Sequence, residues 1–356
     1  MIYYLGGLLK DIFGPARLLQ SYAVLIGIAL YAGFFICQKL LPKFYKVLPS
    51  DRGREFTPGK EAAMGKPTGS GVVFITMFVI LCFLIVPMDF LQISILILTW
   101  LMMLTGYLDD RSEKGWGEYI KGFLDLVIAV IAACLLAYFM AKDSPDRSLY
   151  FWLPFVSHTI RIPTWLYIVI TVLMLWASVN TTNCTDGVDG LSSSLVLLAL
   201  FLMGAIFYIV LGHVDISTYL LVPHVTDGAA WAVMIFCLAG ILMGYLWHNA
   251  FPSSVLMGDA GSRALGFFLG VCVMVTGNPF MFLATSSIIF VNGGMGLLKV
   301  ALKRFLHISI FENIRFPLHD HMRKNKGWSP TQVLIKFMLI QLLISIAMIG
   351  IFFKIR

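Results

Sequence analysis

Ten stretches of this chain are apolar over lengths near the roughly 20 residues that a helix needs to cross a bilayer. They fall at about 20–42, 72–88, 90–107, 122–141, 164–180, 191–212, 229–247, 264–277, 280–302 and 332–354. Little sequence is left over for a separate soluble core. With 59% hydrophobic and 13% charged residues in 356, a soluble single-core fold is excluded. Backbone polar groups inside a bilayer must be satisfied within the chain, which a helix does by itself. The expected fold is all-α: a polytopic integral membrane protein of about ten transmembrane helices, with one domain covering 1–356. Two of the breaks are short turn signals, Pro87-Met88-Asp89 and Gly277-Asn278-Pro279.

Orientation follows from the basic residues, which are retained on the cytoplasmic side of short loops. The first connection carries Lys43, Lys46, Arg52, Arg54, Lys60 and Lys66, and the third Arg111, Lys114 and Lys121. The ninth carries Lys303, Arg304, Arg315, Arg323, Lys324 and Lys326. Among the even connections only the fourth has any, Lys142, Arg147 and Arg161. The odd connections are therefore expected in the cytoplasm and both termini outside. The net charge of +7 fits a surface facing anionic lipid and anionic substrates, and no nucleic-acid partner is expected. The six cysteines show no metal-ligand or disulfide spacing and read as packing residues. Lys10, Asp11 and Arg17 precede the first long apolar run, so that run is expected to be a retained anchor rather than a cleaved signal.

On this topology seven acids share the cytoplasmic side: Asp51, Asp109, Asp110, Asp186, Asp189, Asp259 and Asp320. The loops expected to carry the active site are 43–71, 108–121, 181–190, 248–263 and 303–331. Asp109 and Asp110 are adjacent, and adjacent carboxylates repel unless a cation or partner intervenes. A solvated helix end beside Arg111 and Lys114 is the bland alternative. The fifth connection, Asn180 to Gly190, has no basic residue. Its Asp186 and Asp189 would face one pocket if helical, and Gly187 and Gly190 permit close approach to a ligand; an Asx-turn cap is the alternative. The seventh connection holds Asn249 and Met257-Gly258-Asp259-Ala260-Gly261-Ser262. There, glycines at a helix start offer N–H groups to phosphate while the acid holds a hard cation, although an ordinary N-cap looks the same. In the ninth, His319-Asp320-His321 suits either a metal or a phosphate, or is simply an exposed polar loop. Carboxylates for Mg²⁺, basic residues for phosphate and glycines for close approach are together the parts of phosphoryl transfer.

At these residues the chain resembles the polyprenyl-phosphate N-acetylhexosamine-1-phosphate transferases, over roughly positions 50 to 350. The motifs that carry it are Gly106-Tyr107-Leu108-Asp109-Asp110, Thr185-Asp186-Gly187-Val188-Asp189-Gly190 and Met257-Gly258-Asp259-Ala260-Gly261-Ser262. Pro317-Leu318-His319-Asp320-His321, Lys326-Gly327-Trp328-Ser329 and Pro67-Thr68-Gly69-Ser70-Gly71 look more like its phospho-N-acetylmuramoyl-pentapeptide branch. Three departures stand out. Asp320 replaces the middle of three histidines, Leu256 stands where an aromatic residue often stacks on uracil, and the nucleotide-contacting lysine aligns with either Lys60 or Lys66.

The resemblance implies a bacterial plasma-membrane enzyme that moves phospho-MurNAc-pentapeptide from UDP-MurNAc-pentapeptide to undecaprenyl phosphate, giving lipid I and UMP. It implies Mg²⁺ on Asp259, and Asp109 or Asp110 positioning the lipid phosphate or accepting its proton. Asn183, Asp186 and Asp189 would bind nucleoside and sugar, with Gly187 and Val188 offering backbone contacts. Lys121 would contact phosphate, and His319 and His321 the donor's phosphate or sugar end. Lys60 or Lys66, Thr68, Asn249, Leu256 and Gly258 complete the implied substrate contacts, and a homodimer in membrane lipid is implied as well. A GlcNAc-1-phosphate transferase shares every acidic motif and is separated by donor choice. A secondary transporter would place its acids at the membrane midplane between repeated halves, which this sequence does not do.

Overall fold

The computed structural model describes residues 1–51, 53, 64–112 and 115–354. A short helix α1 (Ile2–Leu9) and a 3₁₀ turn precede α2 (Tyr22–Leu40), α3 (Gly71–Ile85), α4 (Phe90–Arg111) and α5 (Glu118–Asp143). After these come α6 (Thr164–Thr185), α7 (Leu191–Leu211), α8 (Val214–Tyr219), α9 (Gly228–Asn249) and α10 (Gly258–Val275). The chain ends in α11 (Met281–Leu306), α12 (Leu318–Lys326) and α13 (Pro330–Lys354). Among the described residues, nine helices are long and apolar enough to cross a membrane. The tenth expected span is α3, whose 15 residues rise only about 22 Å.

Both predicted breaks are turns with identifiable caps. Asp89 accepts from the Gln92 amide at 2.7 Å while the Gln92 side chain accepts from the Asp89 amide at 3.1 Å, a reciprocal capping box at the start of α4. Asn278 accepts from Phe280 N at 2.9 Å ahead of α11. One small departure from an all-helical chain lies between α5 and α6. There β1 (Leu149–Phe151) pairs antiparallel with β2 (Ile160–Ile162), Tyr150 opposite Arg161. Trp152 anchors this hairpin to the end of α10, its indole N–H donating to Thr276 O at 2.6 Å.

The helices carrying acidic motifs extend past their apolar runs. α4 continues through Asp109 and Asp110, α6 through Asn180 to Thr185, and α10 begins at Gly258 rather than 264. Polar side chains support the extra turn of α6: Asn180 Nδ2 donates to Trp176 O and Thr185 Oγ1 to Thr181 O, both at 2.8 Å. The stretch 303–331 is likewise not a plain loop, since it contains α12. Within α11 the helix is interrupted by a π-helical turn, Phe290–Gly294, preceded by a non-helical Ser286.

α10 is the central helix: 94% of its apolar window is buried, against 17% for α13. Close backbone approach sets what surrounds it. A Cβ on Gly71 of α3 would lie 2.1 Å from Gly261 N, and one on Gly106 of α4 would lie 2.5 Å from the Asp259 carbonyl. Lipid gives helices no hydrophobic drive to associate, so such small-residue contacts supply the packing. Gly71→Ala should therefore destabilise the protein by about 1–3 kcal/mol, read as a lower Tm in detergent. Gly27→Ala, whose added Cβ meets nothing within 4 Å, should leave Tm unchanged or raise it.

Candidate active site

The end of α4 abuts the start of α10, and one carboxylate makes the joint. Asp110 Oδ1 accepts from Asp259 N and Oδ2 from Ala260 N, each at 3.0 Å. Helix N-termini leave their first amides unpaired and attract anions, so Asp110 caps α10 from outside that helix. Gly258 makes room for it: its φ is +67°, and a Cβ there would stand 2.3 Å from Asp110 Oδ2.

Asp109 faces elsewhere. Its Oδ1 accepts from Trp116 N at 2.6 Å and its Oδ2 pairs with the Lys121 ammonium. Lys121 Nζ also lies 3.3 Å from Asp259 Oδ2. Asp109 and Asp259 are both buried, so a single cation from the first turn of α5 holds together acids from α4 and α10. Adjacent in sequence, Asp109 and Asp110 do different work, because successive helical side chains project about 100° apart.

A second cluster ties the α6–α7 turn to the segment before α10. Asp186 ends α6, its N–H bonded to Asn183 O, and the chain then turns instead of continuing as a helix. Asp189 lies in that turn: its Oδ2 accepts from Ser253 N at 3.0 Å and sits 3.8 Å from Lys66 Nζ. Lys66 Nζ donates to Ser253 Oγ at 3.0 Å. Asn249 is buried and fully engaged, accepting from Gly190 N and Ser193 Oγ and donating to Val255 O. Leu256 pairs by its backbone with Pro67 and Ser70, and Thr68 N donates to Pro49 O. Val188 is buried and Asn183 half-buried. Lys60 lies outside the described residues.

The histidines sit on α12, and residues two apart on a helix diverge. The His321 ring accepts from Arg315 N at 3.3 Å, whereas His319 is buried against Gly187, where a Cβ would stand 2.3 Å from Nε2. The two imidazoles therefore do not share a metal. Asn292 fixes the tautomer of His319. Its Oδ1 accepts the His319 backbone N–H at 2.8 Å, so the ring Nδ1, 3.2 Å from the same oxygen, is the protonated nitrogen. Asn292 Nδ2 donates to Thr185 Oγ1 at 3.1 Å. Burial, reinforced by the Arg323 charge, pushes the His319 pKa down to about 3. Asp320, 3.7 Å from His319 and 4.0 Å from Arg315, is held above the usual carboxylate range by burial, which its basic neighbours only partly offset. Sequence reasoning passed over Asn292, Ser253 and the Trp116 amide. Only Asn292 left a trace in the sequence, as an amide side chain inside an apolar span.

A polytopic helical bundle that gathers acids, a lysine and glycine-opened helix starts at one end has the layout of a membrane-embedded phosphoryl-group transferase. The chain belongs to glycosyl transferase family 4, whose family model matches residues 92–277, and within it to the phospho-N-acetylmuramoyl-pentapeptide-transferases. It is 57% identical over 344 residues to the protein of that name from Treponema pallidum strain Nichols, covering 97% of this chain and 94% of that one. The Helicobacter pylori 26695 protein of the same name is 29% identical over 339 residues, with 92% and 93% covered. That of Campylobacter hominis is 28% identical over 359 residues, with 97% and 98% covered. The protein is thus a multi-pass bacterial membrane transferase.

Two outcomes check the geometry. Asp110→Ala removes the cap of α10 and should lower stability by about 0.5–2 kcal/mol; Asp109→Ala removes the acceptor of Lys121 and of the Trp116 amide and should lower turnover as well as Tm. His319 should stay neutral across pH 5–8. Its folded pKa lies below the unfolded value, so it contributes nothing above about pH 6.5, and stability is lost as pH falls toward 3, where the unfolded chain alone binds the proton. His319→Gln should flatten the decline of Tm between pH 7 and 5; an unchanged decline would contradict the neutral assignment.

Proposed function

We propose that this chain transfers phospho-MurNAc-pentapeptide from UDP-MurNAc-pentapeptide to undecaprenyl phosphate, forming lipid I and releasing UMP in peptidoglycan synthesis. The observation that carries the reading is the Lys121 ammonium held between Asp109 and Asp259 at the capped start of α10, in a chain 57% identical to a transferase of that name.

In the reaction an oxygen of the lipid phosphate attacks the β-phosphorus of the donor. The bond from that phosphorus to the bridging oxygen breaks, and its electron pair leaves with UMP. A phosphate monoester is largely ionised at neutral pH, so the chain needs to position this nucleophile more than to deprotonate it. Asp109 and Lys121 take that role. Positioning and charge neutralisation supply most of the catalysis in phosphoryl transfer.

Mg²⁺ fits the residues present. Asp109 Oδ2 and Asp259 Oδ2 already converge on one cation, the Lys121 ammonium, and both are hard oxygen donors. Among the described residues no group of three or more metal-ligating side chains converges, which suits an ion that uses one or two carboxylates and completes its shell with water and phosphate. Asp259, with Asp109 beside it, would hold the ion, and it would supply neutralisation of the pyrophosphate charge. Lys66, Thr68, Asn183, Asp186, Gly187, Val188, Asp189, Leu256 and Gly258 line the approach for nucleoside and sugar. Asn249 supports that approach from within.

The acceptor's tail stays in the bilayer, since leaving costs about 0.8 kcal/mol per CH₂. Exposed Ile120 and Phe123 on α5 and Leu298 and Phe305 on α11 offer it an apolar path to Lys121, with Arg304 donating to the Tyr119 hydroxyl at 3.1 Å between them. The basic connections support a cytoplasmic side for this end of the bundle with both termini outside, and the proposed working form is a homodimer.

UMP release by the purified protein with undecaprenyl phosphate and Mg²⁺ should require UDP-MurNAc-pentapeptide. Turnover with UDP-GlcNAc in its place would move the chain to the GlcNAc-1-phosphate transferases. Asp259→Asn should lower kcat by at least about 100-fold in a protein that still folds.

A further inference from the structure

One turn deeper than the catalytic acids lies a charge pair that the transfer reaction does not use. Arg263 of α10 and Asp125 of α5 are 3% and 5% exposed, and the guanidinium Nη2 bonds directly to Asp125 Oδ1. The other guanidinium nitrogen, Nη1, is buried with no partner among the described residues. A buried ion pair is a poor source of net stability, and ionisable side chains within membrane spans are expensive and point to function.

The spacing says which function. Lys121 and Asp125 are four residues apart on α5, and Asp259 and Arg263 are four apart on α10, so each couple stacks along one helix face. Lys121 meets Asp259 at 3.3 Å and Asp125 meets Arg263, which makes two rungs between the same helices. Charge alternates along each helix and across each rung. Shifting α5 by one turn, about 5.4 Å, would set Lys121 against Arg263 or Asp125 against Asp259, like against like. α5 rests mainly on α4 and α6 and touches α10 only briefly, so direct apolar contact with α10 does little to fix where along it α5 sits. The upper rung does little either, because a lysine on a flexible four-carbon stem can follow a sliding partner. The planar, buried guanidinium cannot.

We propose that Asp125 and Arg263 are positioning residues, which lock the register of α5 on α10 so that Lys121 reaches Asp109 and Asp259 together. This deepens the transferase reading and rests on it.

The test compares Asp125→Leu/Arg263→Met, which replaces the pair by apolar groups, with Arg263→Lys, which keeps the charge. The double variant should fold with Tm unchanged or raised. It should lose at least about tenfold in kcat, equivalent to about 1.4 kcal/mol of barrier, with the donor KM unchanged, and Arg263→Lys, whose flexible ammonium can follow a sliding partner, should lose turnover as well. A second readout needs no turnover. In a background with the six native cysteines replaced, Lys121→Cys/Asp259→Cys should be bridged by a short bifunctional thiol reagent, and adding the double substitution should slow bridging by about the same factor. Native kcat in the double variant would overturn the proposal, as would a loss of kcat with bridging unchanged. If the parent protein releases no UMP, the transferase reading fails, and the bridging comparison still decides the register lock.

Discussion

The start of a buried helix has amides that nothing within the helix can satisfy, and α10 begins in the middle of the bundle. Asp110 supplies the missing acceptors from a neighbouring helix, and the rest of the site follows from that contact. It requires α4 to lie against α10, which Gly106 permits, and a backbone turn with no side chain at Gly258. It orients Asp259 on the first turn of α10, toward Lys121. Negative charge is favoured at a helix N-terminus, and the two amides offset part of the cost of burying this carboxylate.

Two adjacent aspartates are thereby reconciled. Their mutual repulsion is met on one side by two backbone N–H groups and on the other by an ammonium and the Trp116 amide. The Lys121 ammonium lies between helices, paired with acids of α4 and α10, so its geometry depends on the relative placement of α4, α5 and α10. Burial at the His319 end works in the opposite sense: it removes charge from the imidazole and leaves a neutral ring held by Asn292.

Much of this was legible in the sequence. Apolar runs located the nine long helices and the shorter α3 among the described residues, Pro87-Met88-Asp89 and Gly277-Asn278-Pro279 marked real turns, and the acidic motifs carried the family. Periodicity could not decide between Asp109 and Asp110, because the role of Asp110 is set by partners about 150 residues away. Hydropathy ended α4 and α6 too early and started α10 too late, since it scores polar residues as loop even where their side chains bond back to the helix. Helical spacing was the ground for pairing Asp186 with Asp189, but the helix ends at Thr185, and Asp189 bonds to Ser253 N and lies near Lys66 from the turn that follows. Asp125 stood in plain view inside an apolar run and Arg263 at the edge of one, yet nothing local to either span reveals that they meet.

The most direct measurement is an experimental structure of the protein in lipid nanodiscs with Mn²⁺ and UMP, using the anomalous or density signal of the ion. The account predicts the ion against Asp259 with Asp109 beside it, Lys121 displaced toward phosphate, and Asp110 still accepting the amides of residues 259 and 260. An ion coordinated by Asp110, with the start of α10 uncapped, would contradict it.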